Sequence, residues 1–105
     1  MVSSIRTRVE RAIIPGLPHG SARAGHVARR LGLSQRTLAR RLAREGLSFS
    51  KLLSELRLEL ARRYLVDERL SISDVAWLLG YQDVAAFSNA FKRWTGKAPS
   101  AASSR

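Results

Sequence analysis

The sequence predicts an all-α protein of about seven helices, arranged as two helix-turn-helix units joined by a long central helix. Three observations lead there. Apolar residues recur at helical spacing almost from end to end, and no stretch sustains the apolar/polar alternation of a strand. Ile, Val and Thr are few beside Leu, Ala and Arg. Glycines stand just past the expected ends of the apolar runs, at Gly32, Gly46, Gly80 and Gly96, where a helix is commonly closed.

The elements follow in order. Val2 to Ile14 reads as a first helix, with Ile5, Val9, Ala12 and Ile13 on one side. Pro15-Gly16-Leu17-Pro18-His19-Gly20 stops it and makes a loop. Ala24 to Leu31 is a short second helix, ended by Gly32. Ser34 is a good N-cap for a third, Gln35 to Glu45, ended by Gly46. Ser48 caps a long fourth helix, in which Phe49, Leu52, Leu53, Leu56, Leu60 and Tyr64 keep one face apolar to about Val66. Ser71 or Ser73 caps a fifth helix through Leu79, before Gly80. A sixth runs from Val84 to Trp94 with Asp83 as its N-cap, and Pro99 is placed to open a short final helix. The chain is thus read as a leading helix and loop (1–24), a first helix-turn-helix (25–47), a linking helix (48–67), and a second helix-turn-helix with a short C-terminal segment (71–105).

Composition narrows the function. Among 105 residues, 19 Lys plus Arg face 8 Asp plus Glu, for a formal net charge of +11. A hydrophobic content of 45% is enough for a modest core and argues against a disordered basic tail. Cysteine is absent, which removes disulfides, thiolate metal sites and cysteine nucleophiles together. His19 and His26 are the two histidines, too few for a histidine-rich metal site. No catalytic set, metal site or cofactor is expected. No apolar run is long enough to cross a membrane, and the first residues lack the apolar stretch of a signal peptide, so a soluble intracellular protein is expected.

The charge is uneven. Residues 1–46 carry net +8, residues 47–83 net −1 and residues 84–105 net +4. Sixteen of the cations are Arg, whose planar fork suits phosphate and guanine edges. A basic membrane helix would show one continuous cationic face rather than two separate blocks.

An internal repeat falls on those blocks. Val27-Ala28-Arg29-Arg30-Leu31-Gly32-Leu33 matches Val75-Ala76-Trp77-Leu78-Leu79-Gly80-Tyr81, and Leu38 and Leu42 match Phe87 and Phe91 with one residue inserted. Each copy is helix, glycine turn, helix. Ala28 and Ala76 let the second helix approach, Gly32 and Gly80 supply the left-handed turn, and Leu38 and Phe87 close the core. Neither copy is long enough to bury a core alone, so the fourth helix has to serve both. At about 19 residues it spans roughly 28 Å. Major grooves on one face of B-DNA recur roughly every 34 Å, a compatible distance.

The stretch from Gly25 to Pro99 resembles the C-terminal DNA-binding domain of the AraC/XylS family of bacterial transcription regulators. The resemblance rests on Arg57-Leu58-Glu59-Leu60-Ala61-Arg62-Arg63-Tyr64-Leu65, Ile72-Ser73-Asp74-Val75-Ala76, Leu79-Gly80-Tyr81, the run Phe87-Ser88-Asn89-Ala90-Phe91-Lys92-Arg93-Trp94-Thr95-Gly96, and Pro99. It implies seven helices, two helix-turn-helix units, and third and sixth helices that enter adjacent major-groove segments. The sequence departs from the family after Pro99, where Ala102 and Ser103 replace an aromatic residue and Arg, so a weakly packed or frayed final helix is expected.

Residues early in a recognition helix reach base edges and later ones reach phosphates. Arg36 and Arg40, one turn apart, are the first candidates to read bases, each able to hold guanine O6 and N7. Gln35 joins them at the start of the third helix. Thr37, Arg41 and Arg44 are assigned to the DNA backbone. In the sixth helix Asn89 is the best base reader, by a paired contact to adenine, and Val84 or Ala85 is placed to touch a thymine methyl. Ser88, Lys92 and Arg93 are assigned to phosphates. The poverty of side chains at Val84, Ala85 and Ala86 predicts looser sequence reading by the second unit. Trp77 and Trp94 are read as core or near-core rather than as stacking platforms. His26 reads equally as a phosphate contact or a surface residue. Leu52, Leu56 and Leu60 are read as core rather than as a dimer seam, and Glu45, Glu55 and Glu59 as partners in surface ion pairs of small value.

The expected function is sequence-specific binding of double-stranded DNA in the major groove by a bacterial transcription regulator, an activator. RNA polymerase is the further partner, any small-molecule effector acts through a domain outside this chain, and the location is cytoplasmic and nucleoid-associated. The chain is expected to be the C-terminal domain cut from a longer regulator. Three other readings compete with this one. Repair methyltransferases that carry a similar domain need cysteines that are missing here. A nonspecific architectural binder would not discriminate among sequences, and a stand-alone regulator would need no sensor domain.

Overall fold

The computed structural model describes residues 4–102, and among them every regular element is helical. By its internal contacts the chain divides into two compact units, residues 1–56 and 57–105, with the boundary inside the fourth helix.

In the first unit, α1 covers Ile5–Ile13 and is capped by Ser4, whose Oγ accepts the Thr7 N–H at 3.2 Å. Val2 lies outside the described residues. Val9 and Ile13 are fully buried, as the apolar stripe predicts. The expected loop at Pro15–Gly20 is instead a 3-10 helix, Ile14–His19. α1 stops ahead of Pro15 as expected, but proline at the start of a turn loses only an N–H that a helix leaves unbonded anyway, so Pro15 also opens a new turn. The turn sinks Leu17 into the core.

α2 covers Ala24–Arg30 and α3 Gln35–Arg44, and α1 packs against both. α2 ends in a tight closure: Leu33 N donates to Ala28 O at 2.9 Å and Gly32 N to Arg29 O at 3.1 Å, with Gly32 at φ +71°. That left-handed conformation is what glycine adopts without cost. The core here is Val27, Ala28, Leu38, Leu42, Leu52 and Leu56 beside the α1 residues, all at most 3% exposed.

α4 covers Phe49–Arg62 and is followed by a π-turn, Arg63–Asp67, closed by Glu68 N donating to Arg63 O at 3.1 Å. The regular α-helix is therefore 14 residues, shorter than the apolar periodicity suggests. The helix and the turn after it serve both cores, as expected of the linking segment. Leu52 and Leu56 are buried in the first unit, and Leu60, Ala61 and Leu65 in the second.

In the second unit, α5 covers Ile72–Leu78, α6 Val84–Thr95 and α7 Pro99–Ala102. Of the two serines proposed as the α5 cap, Ser71 serves: its Oγ accepts the Asp74 N–H at 3.0 Å. The turn repeats that of the first unit. Tyr81 N donates to Ala76 O at 2.9 Å, Gly80 N to Trp77 O at 3.0 Å, and Gly80 sits at φ +85°. Val75, Ala76, Leu79, Phe87, Ala90 and Phe91 form the core, with the Phe87 and Phe91 rings 5.8 Å apart. Pro99 is buried, so α7 is anchored at its first residue, while Ser103 lies outside the described residues.

Trp77 is not in the core. It is 57% exposed, because Val75, Ala76 and Leu79 take the inward positions of α5 and the helical phase turns Trp77 outward. Trp94 is half-buried, its ring 6.4 Å from that of Tyr81, in line with a near-core position.

Candidate nucleic-acid interface

α3 is held at both ends before any ligand is considered. Ser34 accepts the Thr37 N–H at 3.0 Å and donates its own hydroxyl to Thr37 Oγ1 at 2.9 Å. Leu47 N donates to Leu42 O at 2.9 Å past the far end. Leu38 and Leu42, 1% and 0% exposed, lock the inner face. The outer face then carries Gln35, Arg36, Ala39, Arg40, Arg41 and Arg44, all exposed, with Thr37 half-buried at its edge. The helix therefore sorts the base and backbone candidates onto its solvent side, apart from Thr37, whose hydroxyl is shared with the cap.

The electrostatics favour an anion there. Among the described residues the ion pairs engage Arg6 with Glu10 and Glu55, and Arg63 with Glu59; none engages Arg36, Arg40, Arg41 or Arg44. Arg6 shows the contrast. Its guanidinium is pushed above its ordinary pKa, first by its 2.9 Å hydrogen bond to Glu55 and then by Glu10. Two of the three acids of the first unit are thereby paired with one arginine of α1. Of the glutamates read as ion-pair partners, Glu55 and Glu59 are so engaged, while no ion pair is recorded for Glu45.

α6 is built the same way from different side chains. Asp83 Oδ1 accepts the Ala86 N–H at 2.8 Å, and Phe87, Ala90 and Phe91 face inward. Val84, Ala85, Ala86, Asn89, Lys92 and Arg93 are exposed, and Ser88 is half-buried. The leading turn offers methyl groups and one Val, and the first amide arrives only at Asn89.

Two groups that support these helices were not singled out from sequence. Arg57, on α4, donates from Nε to Leu79 O at 3.1 Å and lies over the Tyr81 ring, 5.1 Å from its centroid. It thus grips both sides of Gly80, the turn that aims α6. Tyr81 is half-buried, and burial raises its phenol pKa against the opposing pull of Arg57 and Arg93. The second group is Gly25, at the start of α2, against which the Gln35 side chain lies. No motif marks either role, although Arg57 stands 24 residues before Tyr81 in the stretches that carry the resemblance.

Comparison with known proteins gives these surfaces a context. A family model described as a helix-turn-helix domain matches residues 27–105. An uncharacterised helix-turn-helix-type transcriptional regulator of Mycobacterium tuberculosis is 49% identical over 79 residues, which are 75% of this chain and 23% of that protein. The ornithine utilization regulator of Pseudomonas aeruginosa is 37% identical over 94 residues, 90% of this chain and 27% of that protein. The chain thus spans about a quarter of the length of these curated relatives. Among solved structures, a DNA-binding transcriptional dual regulator from Escherichia coli K-12 matches with a TM-score of 0.83 and 31% identity, covering 96% of this chain and 90% of that one.

Proposed function

Because the chain belongs to the helix-turn-helix family of AraC-type transcription regulators, whose members bind DNA by sequence and are not enzymes, we propose that α3 and α6 are its two reading helices. Arg36, Arg40 and Gln35 contact base edges and Thr37, Arg41 and Arg44 the phosphates on either side. In the second unit Asn89 and Ala85 contact bases and Ser88, Lys92 and Arg93 the backbone. The observation that carries this is the outer face of α3, where four arginines are exposed and unneutralised on a helix fixed by its cap and core. A guanidinium without a protein partner gives up only water when it meets phosphate or guanine.

The two units contribute unequally. The first supplies most of the affinity and of the salt dependence, because its block carries the larger positive charge. The second reads sequence more loosely. The regulator is an activator that contacts RNA polymerase, and any small-molecule effector acts through a domain outside these residues. It works in the cytoplasm, on the nucleoid.

Arg40→Ala tests the assignment. Preference at one base position should fall by about fivefold or more, the lower end of a paired arginine–guanine contact. Uniform weakening across all sequences would make Arg40 a phosphate contact instead.

A further inference from the structure

Glycine near the start of a helix asks for an explanation, because it forms helix less well than alanine. Gly25 is the second residue of α2, and it is not among the glycines with positive φ. Its backbone conformation is open to any residue. What a side chain would meet is a neighbour. A Cβ placed on Gly25 would stand 3.2 Å from Gln35 Oε1 and 3.9 Å from Gln35 Cδ, and among the described residues no other group outside its own surroundings comes within 4 Å.

Gln35 is the first residue of α3 and is exposed. A glutamine on a helix surface ordinarily wanders among rotamers. Here the amide oxygen lies in the space a side chain on Gly25 would occupy, and this narrows where the other edge can point. A side chain already restricted loses less freedom when it binds.

We propose that Gly25 is a positioning residue for DNA reading: its missing side chain gives the Gln35 amide a seat on the first turn of α2 and so sets which base edge Gln35 addresses. This rests on the assignment of Gln35 as a base reader. The contact is close enough that an added methyl must move something, and the group that yields is the far end of a flexible surface side chain. The displacement therefore falls on Gln35 and spares the core. Gly25→Ala should leave the fold at least as stable while it alters sequence reading. A packing glycine would do the opposite, losing stability with no change of base preference.

The experiment compares wild type, G25A, Q35A and the double variant, by competition binding against single-base variants of the preferred DNA site and by thermal melting. Gly25→Ala is expected to lower discrimination at the base position that Q35A affects, by about fivefold, the lower end of a paired amide–base contact. Its melting temperature should not fall below wild type. In the Q35A background G25A should change nothing further, since the two act through one contact. An unchanged G25A base profile would overturn the proposal. So would an equal effect of G25A in both backgrounds, or a profile insensitive to Q35A. Failure of the wider reading looks different: wild-type protein would then show no preferred site at all.

Discussion

Arg57→Ala should destabilise the second unit by about 2 kcal/mol. The figure comes from what the side chain holds. Its Nε donates to the Leu79 carbonyl at 3.1 Å, one of the carbonyls that the end of α5 leaves without a helical partner. A charged hydrogen bond of this kind contributes about 1.5–3 kcal/mol, and partial exposure of Arg57 places it at the lower end. The guanidinium over Tyr81, 5.1 Å from the ring centroid, adds about 0.5–1 kcal/mol. Urea unfolding followed by circular dichroism reads the loss as a midpoint lower by about 1 M with an unchanged slope. Arg57→Lys should recover little, because an ammonium lacks the planar fork that bonds Leu79 O and covers the ring at once. A loss below about 0.5 kcal/mol, or full recovery with Lys, would refute the view that Arg57 braces the turn before α6.

Other expectations follow from the same packing. Leu42→Ala removes a side chain with no exposure on the inner face of α3, so it should cost about 2–5 kcal/mol by denaturant titration and weaken DNA binding with it. Gly32→Ala forces a Cβ into the left-handed region at φ +71° and should cost about 1–2 kcal/mol, measured the same way. The Tyr81 phenol titrates above its ordinary value of 10.0 chiefly because it is buried. The folded state thus holds this proton more tightly than the unfolded chain. Its contribution to stability is complete below about pH 10 and declines as pH rises through the folded pKa. Tyr81→Phe should remove that decline from stability measured between about pH 9 and 12.

Much of the architecture was legible because local signals were redundant. Ser34 and Asp83 are good cap residues placed directly before apolar-periodic runs, and Gly32 and Gly80 follow small residues at matched spacing; each turned out to form the bond its chemistry suggests. The outer faces of α3 and α6 were legible for the same reason, since Leu38, Leu42, Phe87 and Phe91 fix the phase of each helix. The misses came where neighbourhood or residue type outweighed phase. Trp77 is expected in or near the core because it lies beside helix-packing residues, but those neighbours, Val75, Ala76 and Leu79, fill the inward positions themselves. α1 does stop ahead of Pro15, but the expected loop is a 3-10 helix, because proline is compatible with a first turn. The π-turn after Arg62 leaves apolar residues at Tyr64 and Leu65 where a regular helix would also put them, so periodicity cannot reveal it. The supports Arg57 and Gly25 depend on partners 22 and 10 residues away, Leu79 and Gln35, and contacts at that separation are set by tertiary packing.

The proposed function has an asymmetric pair of basic helices read a defined DNA sequence. The most direct measurement is competition between the site selected from random duplexes and its scrambled counterpart, over a salt series. Affinity should fall steeply with salt, as released counterions require. At about 150 mM salt the selected site should still be preferred by about 10³ or more. Equal affinity for the two duplexes under that condition would rule out sequence reading by these helices.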